Sequence, residues 1–250
     1  MNKTYKIADG KRVYAIGDIH GHVDTLARMH DLIEADMKER PVDDATILYV
    51  GDYIDRGPDS RGVIDLLVER ELYAPQFRHV FLLGNHEDAM YNEFMAEPQG
   101  HRQDWLQWGG AEAVESYGVE IDKSKAYGPQ AERIAAELKE ALPLIHHEFF
   151  KNLKLYYEVD DYLFVHAGIR PGVPIEKQTK QDLTFTREPF MSFEGHHPQR
   201  VVHGHTATRT QKIDIRPNRI NVDTHHYGGG PLTCAVIEGE DVRVIEVLRD

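Results

Sequence analysis

Residues 51–57 read Gly51-Asp52-Tyr53-Ile54-Asp55-Arg56-Gly57, directly after the apolar run Ile47-Leu48-Tyr49-Val50. A β-prone run that ends in two carboxylates and an arginine between flanking glycines has two plain readings. One is a solvent-facing turn, where Asp and Gly are common. The other is an exposed Asp55-Arg56 ion pair, which contributes little to stability. The rest of the chain decides between these and a functional loop.

The same arrangement recurs. Val13-Tyr14-Ala15-Ile16 precedes GDIHG at 17–21, and Val80-Phe81-Leu82-Leu83 precedes GNHE at 84–87. Tyr162-Leu163-Phe164-Val165 precedes HAG at 166–168, and Val201-Val202 precedes HGHT at 203–206. Each is a short strand followed by a glycine-containing turn that carries Asp, Asn or His. Between them, Val23, Leu26, Met29, Ile33 and Met37 repeat every three or four residues and predict a helix with one apolar face. Pro58 is expected in the first turn of a second helix whose inner face includes Val63, Ile64 and Leu67. Strands alternating with helices predict an α/β fold. In open sheets of that kind, ligands bind beyond the carboxyl ends of the strands, where all these turns lie.

Candidate site residues extend from Asp18 to His205, so the reading is one domain over 1–250. A charged stretch at about 88–145 holds Trp105, Trp108 and a helical pattern (Ala131, Ile134, Ala135, Leu138), and is read as a helical insertion beside the site. The tail returns to strand character at Arg219–Val222, Leu232–Ile237 and Val242–Val247.

Composition narrows the function. Apolar residues make up 41% and charged residues 28% of the 250, as in globular proteins. A net charge of −13 argues against broad binding to nucleic acid or an acidic membrane surface. No run approaches a membrane span, and the N-terminus does not resemble a signal peptide. The single cysteine, Cys234, is read as a small buried strand residue and fits a reducing, cytoplasmic location.

Asp18, His20, Asp52, Asn85, His166 and His205 offer oxygen and imidazole donors without thiolate, a set suited to Mn, Fe or Zn. Six donors exceed the need of one ion. Asp52, in the middle of the set, is the natural bridge between two ions about 3.5–4 Å apart. Cysteine-based phosphatase chemistry is excluded, because the residue six after Cys234 is Glu240 rather than Arg. No GxxxxGK[ST] loop is present, and His86-Glu87 is followed by Met90 where HExxH needs His.

In that order, GDIHG, GDYIDRG, GNHE, HAG and GHT resemble the signature of the phosphoprotein phosphatase family of calcineurin-like metallophosphoesterases, of the bacterial serine/threonine type. The resemblance runs from residue 13 to about 236. It implies a sandwich of two mixed β-sheets flanked by helices. It also implies a first metal on Asp18, His20 and Asp52, and a second on Asp52, Asn85, His166 and His205. His86 would be the general acid and Asp55 its orienting partner, while Arg56 would bind phosphate oxygens. A second phosphate-binding arginine is expected at Arg187, with Arg170 as its rival. The implied reaction is a single in-line displacement by a hydroxide between the ions, with no covalent phosphoenzyme. The substrate expected is phosphoserine or phosphothreonine in proteins, with phosphotyrosine as a further class. The alternative is symmetrical hydrolysis of dinucleoside tetraphosphates. A metal-binding regulator without catalysis is the third reading, and retention of His86, Asp55 and Arg56 speaks against it.

Some positions depart from the family pattern. Related enzymes carry Gly-His-x-His where GHTA places Ala207. His203 is expected to hydrogen-bond rather than coordinate. In DTHHYGGGPLT at 223–233, His225 and His226 are read as paired surface histidines, with shaping of the site rim as the alternative, and Gly228-Gly229-Gly230 as a flexible turn.

Overall fold

The computed structural model describes residues 4–95 and 101–249. Residues 96–100 of the expected insertion, Met1–Lys3 and Asp250 lie outside the described residues. The predicted strands form, and they sort into two five-stranded sheets.

In the first sheet, β1 (Lys11–Ile16), β2 (Asp44–Tyr49) and β3 (Arg78–Phe81) run parallel side by side. The crossover between β1 and β2 is helix α1 (Val23–Glu39), and that between β2 and β3 is α2 (Ser60–Tyr73). Next come α3 (Asn85–Met90), α4 (Arg102–Trp105), α5 (Ala111–Ser116), α6 (Ala131–Ala141) and α7 (Leu144–Lys151). The helical stretch therefore begins at Asn85 and ends at Lys151, wider than the expected 88–145. The second sheet has the order β4 (Tyr156–Val159), β5 (Tyr162–Val165), β6 (Arg200–His203), β8 (Arg219–Asn221) and β7 (Asp214–Ile215). Within it β5, β6 and β8 are parallel, and α8 (Lys180–Phe185) lies between β5 and β6 in the chain. The antiparallel pair β9 (Leu232–Glu238) and β10 (Asp241–Val247) returns to the first sheet beside β1.

Period-two alternation separates two cores. Val13, Ala15, Leu48, Val50 and Val80 face the second sheet and pack with Phe164, Val202, Ile220 and Val222. Their chain neighbours Tyr14, Ile16, Ile47, Tyr49 and Phe81 face the helices, where they meet Leu26, Met29 and Ile33 of α1 and Val63, Ile64 and Leu67 of α2. Both helical faces match the sequence pattern, although Pro58 falls before the helix it was expected to open. Asp59 is the N-cap of α2 instead, accepting the Gly62 N–H at 2.7 Å, because a carboxylate satisfies an orphan amide that proline cannot. Cys234 is buried in β9 as a free thiol. Among the described residues no helix is long and apolar enough to cross a membrane.

Asp36 of α1 ties the first sheet to its helix. It accepts hydrogen bonds from Tyr14 Oη at 2.8 Å, Arg12 Nη1 at 3.2 Å, and Arg243 Nη1 and Nη2 at 2.6 and 3.0 Å. Burial alone would raise the Asp36 pKa, but the bonds from Arg243 and Tyr14 and the charges of Arg243 and Arg12 outweigh it and hold it below the usual carboxylate range. Asp36→Asn is therefore expected to cost about 2–3 kcal/mol near neutral pH, since hydrogen bonds to charged groups contribute more than neutral ones. The contribution is present above the ordinary value of 3.8 and is lost as pH falls through the lower folded value. Urea titrations of both proteins across the acid range should show the stability gap closing at low pH. A gap that widened on acidification would contradict this sign.

Candidate metal and phosphoryl site

The carboxyl ends of β1, β2 and β3 in one sheet, and of β5, β6 and β8 in the other, meet at one edge of the sandwich. The turns after them carry Asp18 and His20, Asp52, Asn85 and His86, His166, His205, and Asp223. Locally the chain is bent hard: His20, Asp52, Asp55, Arg56 and His205 all have φ between 48° and 74°. This left-handed region costs non-glycine residues about 1 kcal/mol or more each, and such residues concentrate at functional sites. The first two turns interlock, with the N–H groups of Ile19 and His20 donating to the Asp52 carbonyl. Gly57 closes the loop because a Cβ there would lie 2.0 Å from the His20 carbonyl oxygen.

Two clusters form around Asp52. Donor atoms of Asp52, His166 and His205 lie within 4.8 Å of one another, as do those of His20, Asp52 and His86. Asp52 Oδ1 is 3.3 Å from His166 Nε2, and Oδ2 is 3.7 Å from His20 Nε2. Asn85 Oδ1 lies between His166 Nε2, at 3.0 Å, and His205 Nδ1, at 2.7 Å. Asp18 is drawn to the same place but stands outside both clusters. Its two oxygens accept the His205 N–H at 3.3 and 3.0 Å. The cluster of His20 and Asp52 also takes in His86, the residue expected to act as general acid.

The hydrogen bonding fits this donor set to cations. His20 and His166 are positioned by Nδ1 against the carbonyls of Ile54 and Val50, both at 2.9 Å. A carbonyl accepts, so Nδ1 carries the proton and Nε2 presents a lone pair, as in metal-ligating histidines. The Nε2 of His166 then faces Asp52 and Asn85 oxygens, acceptor against acceptors, which a cation or an added proton must relieve. His205 Nε2 is buried without a partner.

Charge tells the same story. Burial raises Asp18 well above the usual range, and the charges of Asp223 and Asp52 add to it. Burial would also raise Asp52, but His166, His86 and His20 overcome this and hold it well below. Burial lowers His205 to about 3 and leaves it neutral. Burial would lower His166 too, but the charge of Asp52 raises it. The buried carboxylates thus draw positive charge to the site, as a proton or a bound cation.

His86 turns its other nitrogen outward from the cluster: Nδ1 donates to Asp55 Oδ2 at 2.5 Å, and Trp105 Nε1 donates to the same oxygen at 2.7 Å. Burial pulls His86 down, but Asp52 and Asp55 together raise its pKa. Arg56 Nη1 lies 3.2 Å from His20 Nε2, and Nη2 lies 3.1 Å from His86 Nε2. The Arg187 guanidinium makes no ion pair among the described residues, and its charge helps to depress His205. Its rival Arg170 is paired with Asp182 at 3.4 Å.

Three buried residues were not singled out from the sequence. Glu87 accepts the N–H groups of Asp52, Tyr53 and Ile54 at 2.9, 2.7 and 3.2 Å, and that of Gly84 at 3.1 Å. Trp105 reaches Asp55 from the insertion. Asp223 follows β8 as the other candidates follow their strands, and that shared position was the signal available. His203 bonds through Nδ1 to the Gly204 carbonyl at 3.0 Å and joins neither cluster. His226 is buried, not a surface residue, because its ring packs edge-on against His22 at 4.8 Å. The Gly228–Gly230 stretch is a tight turn, with the N–H groups of Gly228 and Gly230 donating to the His225 carbonyl.

Residues 11–245 match the calcineurin-like phosphoesterase family. The chain is 30% identical over 169 residues to the serine/threonine-protein phosphatase PP2A-like PPG1 of Saccharomyces cerevisiae, covering 67% of this chain and 36% of that one. It is 27% identical over 240 residues to the asymmetrical bis(5'-nucleosyl)-tetraphosphatase PrpE of Anoxybacillus flavithermus, covering 88% and 87%. A cold-active protein tyrosine phosphatase superposes with a TM-score of 0.54 at 14% identity, over 96% of this chain and 81% of the other, and shares the fold. With the family match spanning nearly the whole chain and the acid, imidazole and amide donors gathered at one sandwich edge, this protein belongs to the calcineurin-like phosphoesterases and is a phosphoester hydrolase.

Proposed function

We propose that the chain is a divalent-metal-dependent phosphomonoesterase acting on phosphoserine and phosphothreonine in proteins, with phosphotyrosine as a further class, in the cytoplasm. The observation that carries this reading is the arginine arrangement. Arg56 reaches His20 and His86 of one ligand cluster and the charge of Arg187 acts on His205 of the other, whereas Arg170 and Lys180 are paired with Asp182 and Asp88. Two arginines suit one phosphoryl group. A polyphosphate chain would call for more unpaired positive charge.

Asp18, His20, Asp52, Asn85, His166 and His205 would hold two divalent ions, with Mn preferred and Fe or Zn also matching the donors. When bound, such ions supply charge stabilisation at phosphorus and acidify water. Arg56 and Arg187 orient the phosphoryl oxygens. His86 Nε2 delivers a proton to the leaving oxygen, with Asp55 fixing the ring through Nδ1 and Trp105 fixing Asp55. Arg56 Nη2 also faces His86 Nε2 at 3.1 Å; a bound phosphoryl oxygen would take that N–H donor without displacing the guanidinium plane and leave Nε2 to the leaving oxygen.

A second reading rests on the near full-length similarity to an asymmetrical dinucleoside tetraphosphatase. Side-by-side turnover of phosphopeptides and diadenosine tetraphosphate with Mn separates the two. A kcat/KM at least tenfold higher on the nucleotide would overturn the protein-phosphatase reading, and no hydrolysis of any phosphoester would overturn both.

The proton-donor role has its own signature. His86→Gln is expected to lower kcat about 10²-fold on an alkyl phosphate, the lower end of general-acid contributions. On p-nitrophenyl phosphate, whose leaving group needs little protonation, the loss should be much smaller. Equal losses on both esters would remove His86 from that role.

A further inference from the structure

Tyr227 sits in the short helical turn His226–Gly228 after β8, 171 residues beyond Arg56 in the chain. Its ring centroid is nevertheless 4.0 Å from the Arg56 guanidinium carbon, a stacking distance. The ring is itself held in place. The His20 and His225 rings pack edge-on against it at 5.0 and 4.6 Å, and Arg249 Nη1 donates to the Tyr227 carbonyl at 3.0 Å. The insertion holds the arginine from another direction. Arg56 N–H donates to the Gly109 carbonyl at 3.0 Å, and Nε donates to the Trp108 carbonyl at 3.3 Å. Gly109 permits this approach, because a Cβ there would lie 2.6 Å from Arg56 Cγ.

The way in which the arginine is held matters chemically. A carboxylate partner would consume its in-plane N–H donors and cancel its charge. An aromatic face attracts the cation through its quadrupole and leaves the N–H edge open. Here that edge points at His20 Nε2 and His86 Nε2, toward the ligand clusters. The Tyr227 hydroxyl makes no hydrogen bond among the described residues, so the ring is the part that acts.

We propose that Tyr227 is a positioning residue for phosphoryl recognition, acting through Arg56 by holding the guanidinium plane without a carboxylate partner, so that its donor edge, turned toward the ligand clusters, can pass to phosphate oxygens. This rests on the reading of Arg56 as a phosphoryl-binding group. It also explains why a long loop from the second sheet folds over a site built mainly from the first.

The test uses the Mn-loaded full chain, p-nitrophenyl phosphate as substrate and inorganic phosphate as competitive inhibitor. Tyr227→Leu should raise both KM and the phosphate inhibition constant about tenfold, the scale of a partly desolvated cation–π contact. Metal content and melting temperature should stay as in the wild type. Tyr227→Phe, which keeps the ring, should recover most of that loss. In an Arg56→Ala background, Tyr227→Leu should add little, because the residue it acts through is already gone. The inference is overturned if Tyr227→Leu leaves the phosphate inhibition constant unchanged in an active enzyme. It is equally overturned if the leucine variant is as damaging without Arg56 as with it. A wild-type protein that hydrolyses no phosphoester would instead bring down the functional reading, and this inference with it.

Discussion

On the proposed two-metal reading, Asp52→Asn is expected to lower turnover by about 10³-fold or more and to reduce the bound divalent ions from two to one or none. The reasoning starts with the backbone. Asp52 has φ of 53°, a conformation that asparagine adopts as readily as aspartate. The substitution therefore preserves the turn and removes only the charge and one acceptor oxygen. Those are the properties shared by both clusters, because Asp52 is the residue common to them. One oxygen faces His166 and the other faces His20. Losing several kcal/mol of charge stabilisation at phosphorus corresponds to about three powers of ten in rate. Elemental analysis after dialysis, beside turnover of p-nitrophenyl phosphate, measures both effects. Two retained ions with turnover within tenfold of wild type would remove Asp52 from the proposed bridging role.

Glu87→Ala is expected to cause a comparable failure by another route, since Glu87 belongs to neither cluster. Its carboxylate receives four backbone N–H groups, three of them consecutive in the Asp52–Ile54 turn. Burial and the charge of Asp52 push Glu87 up to about 7, while hydrogen bonding from the turn pulls the other way. Deleting the side chain leaves several buried amides without an acceptor, each costing about 1–3 kcal/mol before relaxation. A net loss of about 4 kcal/mol is expected, or a fall in melting temperature of about 8–16 °C for a chain of this size. Glu87→Gln should fall between, because an amide offers one acceptor and turns an NH₂ toward donors. The left-handed residues Asp52, Asp55 and Arg56 lose the group that holds their turn, so ion retention should fall with stability. Thermal melts of the metal-free proteins isolate the structural effect. A melting temperature within about 2 °C of wild type would show that the turn holds itself.

These two residues mark where sequence reading works and where it stops. Asp52 was legible because its signal is local: an apolar strand and a glycine-containing turn that carries Asp, Asn or His, repeated at five strand ends. Glu87 lies in the same GNHE motif as Asn85 and His86, yet its partners are backbone amides some 35 residues upstream. No spacing in the sequence announces a bond to a backbone N–H. Trp105 was visible as a residue of the insertion, but its bond to Asp55 spans 50 positions. His226 was misread because paired histidines in a glycine-rich loop look exposed, and only packing against His22 buries it.

By itself the sequence determined the α/β class, the strand ends that carry chemistry, the two apolar helix faces and the types of donor available. Each follows from periodicity or turn chemistry within a few residues, where φ, ψ and side-chain direction are set locally. Only the tertiary structure decided that three strand ends from each sheet face one another. It also decided that Asp18 turns to the His205 amide, and that Tyr227 covers Arg56. Those outcomes depend on how two twisted sheets pack through one shared core, a long-range property that no short window of residues contains.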